Sequence, residues 1–241
     1  TAGDRMTLSL AIPAAKLWNP GTQQAQANLY VANLTLVGSG GQSIATTMTR
    51  FGIRSISTDG PRIIWNGEPL FLRGYGDDAQ YGFTGAPPMN KDYYMTQLAE
   101  MKSLGYNYIR FHTHQMPDVA HEAADELGFL TDPEFSMCSS YELSIPDNLP
   151  PATTEAMEDI FRRSFASIVN RRQHHPSLFG YILSNEISWG GPGDRMFVEL
   201  YRYAKQHDPD RPCLWTEGAI TLDIASMDIP ALACRNGTNE S

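Results

Sequence analysis

Several polar residues of catalytic type fall just after short apolar runs. Arg73 follows Leu70-Phe-Leu72, and Arg110-Phe-His-Thr-His114 closes Tyr106-Asn-Tyr-Ile-Arg-Phe111. Asp132-Pro-Glu134 follows Phe129-Leu-Thr131, Asn185-Glu186 follows Leu178–Leu183, and Glu217 follows Cys213-Leu-Trp215. A carboxylate held at a rigid strand end can serve as a general acid or base once its surroundings raise its pKa toward neutrality. An arginine beside it can hold carboxylates through paired hydrogen bonds. For each of these residues a plainer reading stands alongside: a solvated Glu at a strand end, or an arginine in a structural salt bridge. His112 and His114 are two apart and face one side if the strand continues, a spacing that suits a metal. No third ligand is evident, so no metal or other cofactor is expected.

Such residues need a scaffold that brings strand ends together. Helical periodicity is expected from about Lys91 to Ser103, Pro117 to Leu127, Thr154 to about Arg171 and Gly193 to His207. These helices alternate with the apolar runs, which implies a parallel sheet with crossover helices. In a (β/α)8 barrel the C-terminal strand ends converge on one face, which fits the placement of the polar residues. A doubly wound sheet binds mainly at one switch point. No Gly-x-Gly-x-x-Gly or Walker-type loop favours a nucleotide. Before about residue 57 the pattern is β: Met6–Ile12, Leu29–Val37 and Ile44–Arg54 read as strands of a sandwich. Ile63-Ile-Trp65, Asn66-Gly67 and Leu70-Phe-Leu72 read as a β-hairpin, with the first barrel strand at about Leu70.

The net charge of −9 opposes binding to nucleic acid or an anionic membrane surface. No apolar stretch approaches membrane-spanning length. The three cysteines, Cys138, Cys213 and Cys234, are far apart and suggest neither a zinc site nor a disulfide framework. Homo-oligomerisation stays open, and no compartment can be read.

Four segments, in order, resemble glycoside hydrolase family 2, which includes β-galactosidases, β-glucuronidases and β-mannosidases. They are Leu17-Trp-Asn-Pro20 with Asn28-Leu-Tyr30; Arg50-Phe-Gly-Ile-Arg54; Asn66-Gly-Glu-Pro-Leu-Phe-Leu-Arg-Gly74; and His175-Pro-Ser-Leu178 leading to Ser184-Asn-Glu186. The resemblance implies a multidomain chain: residues 1–57 as the later part of an immunoglobulin-like β-sandwich, and residues 58–241 as the first part of a (β/α)8 TIM barrel. It implies a retaining glycosidase acting on carbohydrate, with Glu186 as general acid/base and Asn185 bonding the sugar 2-hydroxyl. Arg73, Arg110, His114, Trp189 and Glu217 would line the substrate pocket.

The nucleophile Glu is expected three strands after Glu186, beyond Ser241, so the chain is expected to be a fragment and inactive alone. Glu217 is only one helix and one strand from Glu186; as a nucleophile it would imply a different barrel family. The family's Arg-x-x-His-x-Pro pattern fits Arg110 to Pro117 loosely, and Glu134 is a loose equivalent of its Asp-Glu pair. The alternative is a non-catalytic carbohydrate-binding or scaffold protein on a degenerate barrel. Trp18 and Trp65 are expected to pack the domain interface.

Overall fold

The computed structural model describes residues 7–21, 27–78, 81–136, 150–185 and 194–214. The chain opens with an antiparallel hairpin of β1 (Tyr30–Val37) and β2 (Ser43–Phe51), followed by an antiparallel sheet of β3 (Ile56–Asp59), β4 (Arg62–Trp65) and β5 (Glu68–Leu70). Asn66 and Gly67 both take positive φ, 51° and 86°, which is the two-residue turn that the Asn-Gly pair favours. Residues 7–12, expected as a strand, form none. Leu8 and Leu10 are exposed, and no described strand pairs with them. Alternation makes a strand only where a neighbour supplies the other half of the hydrogen bonds.

The parallel part starts at β6 (Gly74–Asp77) and continues through β7 (Tyr108–Phe111) and β8 (Leu130–Pro133). Parallel bridges Thr131↔Leu178 and Glu134↔Ile182 carry the array to β9 (Tyr181–Ile182), which pairs with β10 (Cys213–Leu214). Helices α1 (Lys91–Ser103), α2 (Asp118–Leu127), α3 (Pro151–Arg172) and α4 (Asp194–His207) occupy the successive crossovers. Among the described residues, spatial order therefore follows chain order with no reversal, so the array contains no switch point of the doubly wound kind.

The helices form where their signals predict. Asn90 caps α1 by accepting the Asp92 amide at 2.9 Å. Gly128 ends α2 in the left-handed conformation at φ 65°. Tyr94 and Leu98 on α1, with Ala120, Ala123 and Ala124 on α2, pack on Ile109 and Phe111 of β7. Phe165, Val169, Phe197 and Leu200 cover Leu178, Tyr181 and Leu183 in the same way. These two clusters form the helix-covered face of the array. A third cluster joins Leu130, Phe179, Ile182 and Leu214 to Trp18, Trp65 and Tyr108.

Trp18 and Trp65 tie the antiparallel segments to the parallel array, as expected. Trp18 is fully buried and donates from Nε1 to the Asp125 carbonyl at 2.8 Å; Trp65 donates to the Trp18 carbonyl at 3.2 Å. Asp125 also accepts from His175 Nδ1 at 2.6 Å and from the Ser177 amide at 3.0 Å. The His-Pro-Ser segment is thus a clasp between α2 and the approach to β9. Gly52 fits against it: a Cβ there would lie 2.7 Å from two Pro176 carbons and 2.9 Å from Trp18 Cβ. Gly52→Ala should lower stability by about 1–3 kcal/mol, the usual cost of overpacking, read from denaturant midpoints.

Leu70, expected as the first barrel strand, belongs to antiparallel β5, and the first parallel strand begins at Gly74. The expected boundary after residue 57 falls within β3, which pairs with β4 along its whole length. The displaced first strand has a simple cause. An apolar run shows that a strand exists, but not which neighbour it joins.

Candidate active site

The C-terminal ends of β7 and β8 meet the segment after β9 in one hydrogen-bonded cluster. Arg110 donates from Nε to Glu134 Oε1 at 2.7 Å and from Nη2 to both that oxygen and Asn185 Oδ1, the latter at 2.7 Å. The other Glu134 oxygen accepts the Thr113 amide at 2.5 Å. Thr113 has φ 57°, a conformation costly for a β-branched residue, and the tight turn it makes after β7 aims its N–H at this carboxylate. Gln115 Nε2 bonds the Glu134 carbonyl at 2.7 Å.

Glu134 is wholly buried and Asn185 nearly so, while the Arg110 side chain keeps 27% of its surface. Guanidinium only donates, so Asn185 must turn its oxygen to Arg110, and its Nδ2 donor faces the other way. Asn185 is therefore held in one orientation immediately before Glu186.

His114 stands at the same end. Its Nδ1 lies 2.8 Å from the His112 carbonyl, so Nδ1 carries the proton and Nε2 is left to accept; Tyr81 Oη lies 3.5 Å from Nε2. Tyr81 also reaches Asp77 Oδ2 at 3.5 Å. His112 turns away toward Asp78, at 3.6 Å, so the two histidines do not converge. Among the described residues no group of three or more His, Cys, Asp or Glu could hold a metal ion.

One layer deeper, Tyr108 donates to Asp132 Oδ2 at 2.8 Å. Burial raises the Asp132 pKa to about 7, opposed by the Tyr108 hydrogen bond, reinforced by the Glu134 charge and opposed again by Arg110 and Arg211. Burial likewise holds the Tyr108 phenol well above its ordinary pKa, so it stays a proton donor.

Arg73 does not join this cluster. It precedes β6, and its side chain is exposed and donates from Nε to the Gly105 carbonyl at 3.1 Å, at the end of the array where α1 returns to β7. The expectation that it ends a strand presupposed a strand before it, whereas β6 begins after it. Glu186, Trp189 and Glu217 lie outside the described residues, as do Cys138 and Cys234. Asp132 stands among the expected strand-end residues, but its pairing with Tyr108 has no signal in sequence; only the two-residue alternation Leu130, Asp132, Glu134 puts Asp132 on the Glu134 face.

Known proteins match the chain over most of its length. A putative β-glucuronidase of Formosa agariphila is 27% identical over 228 residues, which is 89% of this chain and 26% of that protein. A β-galactosidase of Aeromonas hydrophila is 25% identical over 233 residues, 95% of this chain and 21% of that protein. The GH2 β-galacturonidase of Eisenbergiella tayi, solved with galacturonate bound, superposes with a TM-score of 0.73 at 23% identity over 87% of this chain and 35% of its own.

The likeness is to glycoside hydrolase family 2.

The exo-chitosanase CsxA of Amycolatopsis orientalis adds a further fold match, with a TM-score of 0.67 at 24% identity over 84% of this chain and 23% of its own. No family model matches the chain. The chain spans about a quarter of the length of the curated relatives it matches.

Proposed function

We propose that this chain contributes to a retaining β-glycosidase, with its parallel array forming the first strands of a (β/α)8 barrel and Glu186 acting as general acid/base. The supporting observation is the buried Arg110–Glu134–Asn185 cluster at the C-terminal strand ends. It fixes Asn185, and through it the backbone that leads into Glu186. Barrel enzymes place their chemistry at this end. The unbroken strand order and the relatives' names point the same way.

In this reading Glu186 protonates the departing glycosidic oxygen, and a carboxylate from a later strand attacks the anomeric carbon. The second step reverses the proton's path: Glu186 takes a proton from water, which attacks the glycosyl-enzyme and releases a sugar of the original configuration. Asn185 Nδ2 donates to the sugar 2-hydroxyl, and His114 and Arg110 line the pocket. Trp189 and Glu217 complete the proposed substrate contacts, and the chain's partner is carbohydrate rather than nucleic acid or membrane.

Aryl β-glucuronides, β-galactosides, β-galacturonides and β-glucosaminides, offered to the full-length protein, test the reading. At least one should be cleaved, with the β-anomer appearing first by proton NMR. Binding of these sugars without cleavage of any would favour the non-catalytic carbohydrate-binding alternative, and an α-anomer as first product would end the retaining mechanism.

A further inference from the structure

Two diagonal hydrogen bonds cross from β7 to β8 with the same offset. Tyr108 has Leu130 as its Cα partner yet donates to Asp132; Arg110 has Asp132 as its Cα partner yet donates to Glu134. Asp132 therefore lies directly across from Arg110 and one layer below Glu134, on the same face of β8. It is completely buried. Its Oδ2 is taken by Tyr108, and its Oδ1 has no hydrogen-bond partner among the described residues.

Just before β9, Gly180 approaches this oxygen without a side chain of its own; a Cβ there would stand 3.4 Å from Oδ1. Among the described residues, the charged and titratable groups that act most on Asp132 are Tyr108 and Arg110 from β7, Glu134 just after β8, and Arg211 from the segment before β10. One guanidinium, Arg110, thus stands beside two buried carboxyls and is hydrogen-bonded to one of them.

We propose that Asp132 is a positioning residue for Arg110: its neutral carboxyl leaves the guanidinium to Glu134 and Asn185, and its carboxylate competes for it. A carboxyl beneath an occupied Arg–Glu pair adds a second buried negative charge when it ionises, and only Arg110 is placed to answer it from the strand alongside. Ionisation of Asp132 therefore loosens the hold on Asn185. The catalytic consequence rests on the glycosidase reading above; the coupling between the two carboxyls does not.

Carbon-13 NMR of the protein labelled at aspartate carboxyls tests the coupling directly. One carboxyl should titrate near pH 7 and vanish from the spectrum of Asp132→Asn. Its midpoint should rise in Tyr108→Phe, which removes a donor to the carboxylate. It should fall in Glu134→Gln, which removes a neighbouring negative charge and releases Arg110. An unmoved midpoint in Glu134→Gln, or a midpoint in the ordinary carboxylate range, overturns the proposal. If Asp132→Asn does not fold, the opposite shifts in the other two variants still decide the matter.

In the full-length protein, kcat should fall as pH rises through this midpoint, and that limb should be absent from Asp132→Asn. An unchanged profile in that variant would refute the positioning role. Failure to cleave any glycoside would instead defeat the glycosidase reading and leave the carboxyl titration standing.

Discussion

Glu186→Gln in the full-length protein should slow cleavage of β-glycosides with poor leaving groups by about 10²- to 10⁴-fold, the usual worth of a positioned general acid. The loss should depend on the leaving group. An alkoxide leaves only with a proton, so alkyl glycosides should suffer most. A dinitrophenolate leaves without help, so the first step with that group should run nearly as fast as in the wild type. The variant would then stall at the glycosyl-enzyme, because glutamine cannot take a proton from the incoming water. Azide, a nucleophile that needs no deprotonation, should release the stalled enzyme as a β-glycosyl azide. The part of the basic limb of the pH–rate profile that Glu186 sets should disappear with its carboxyl, leaving the separate fall at the Asp132 midpoint in place. Wild-type rates on alkyl glycosides would show that Glu186 is not the acid, whatever the fate of the barrel.

The crossover helices were legible in sequence, and for a physical reason. Asn90, Gly105 and Gly128 mark helix ends through local backbone chemistry that needs no partner. α1 matches its expected bounds, whereas α3 begins at Pro151, three residues before the expected Thr154. Strands fared worse because pairing is non-local. Residues 7–12 alternate like a strand and pair with nothing described, and Leu70 joined a hairpin instead of the parallel array.

The site divides along the same line. Arg110, His114 and Asn185 were singled out by their places after apolar runs, and the structure gathers all three at the C-terminal end of the parallel strands. Arg73 satisfied the same sequence rule and sits elsewhere, because the rule presupposes knowing where its strand begins. Glu134 matches the family's motif only loosely, yet its burial and three bonds to Arg110 and Thr113 make it the hub of the cluster. Motif spacing records what relatives share, whereas a carboxylate's importance to a fold follows from its burial and its partners.

That hub predicts a large effect on stability. Arg110→Ala should cost about 3 kcal/mol at pH 7, the low end for breaking a buried pair because Arg110 itself is part-exposed. Glu134 would keep only the Thr113 amide on its carboxylate and would lose its counter-charge while remaining fully buried. A buried carboxylate left without its partner charge, more than the lost attraction itself, makes breaking such a pair costly. Arg110→Ala with Glu134→Gln should therefore recover much of the loss, since no buried charge is left without a partner. Denaturant midpoints of the two single variants and the double variant read this out. A double variant no better than the sum of the singles would mean that the pair contributes packing and not charge balance. Hydrolysis should not return with stability in that double variant. Asn185 would still lack the guanidinium that orients it beside Glu186.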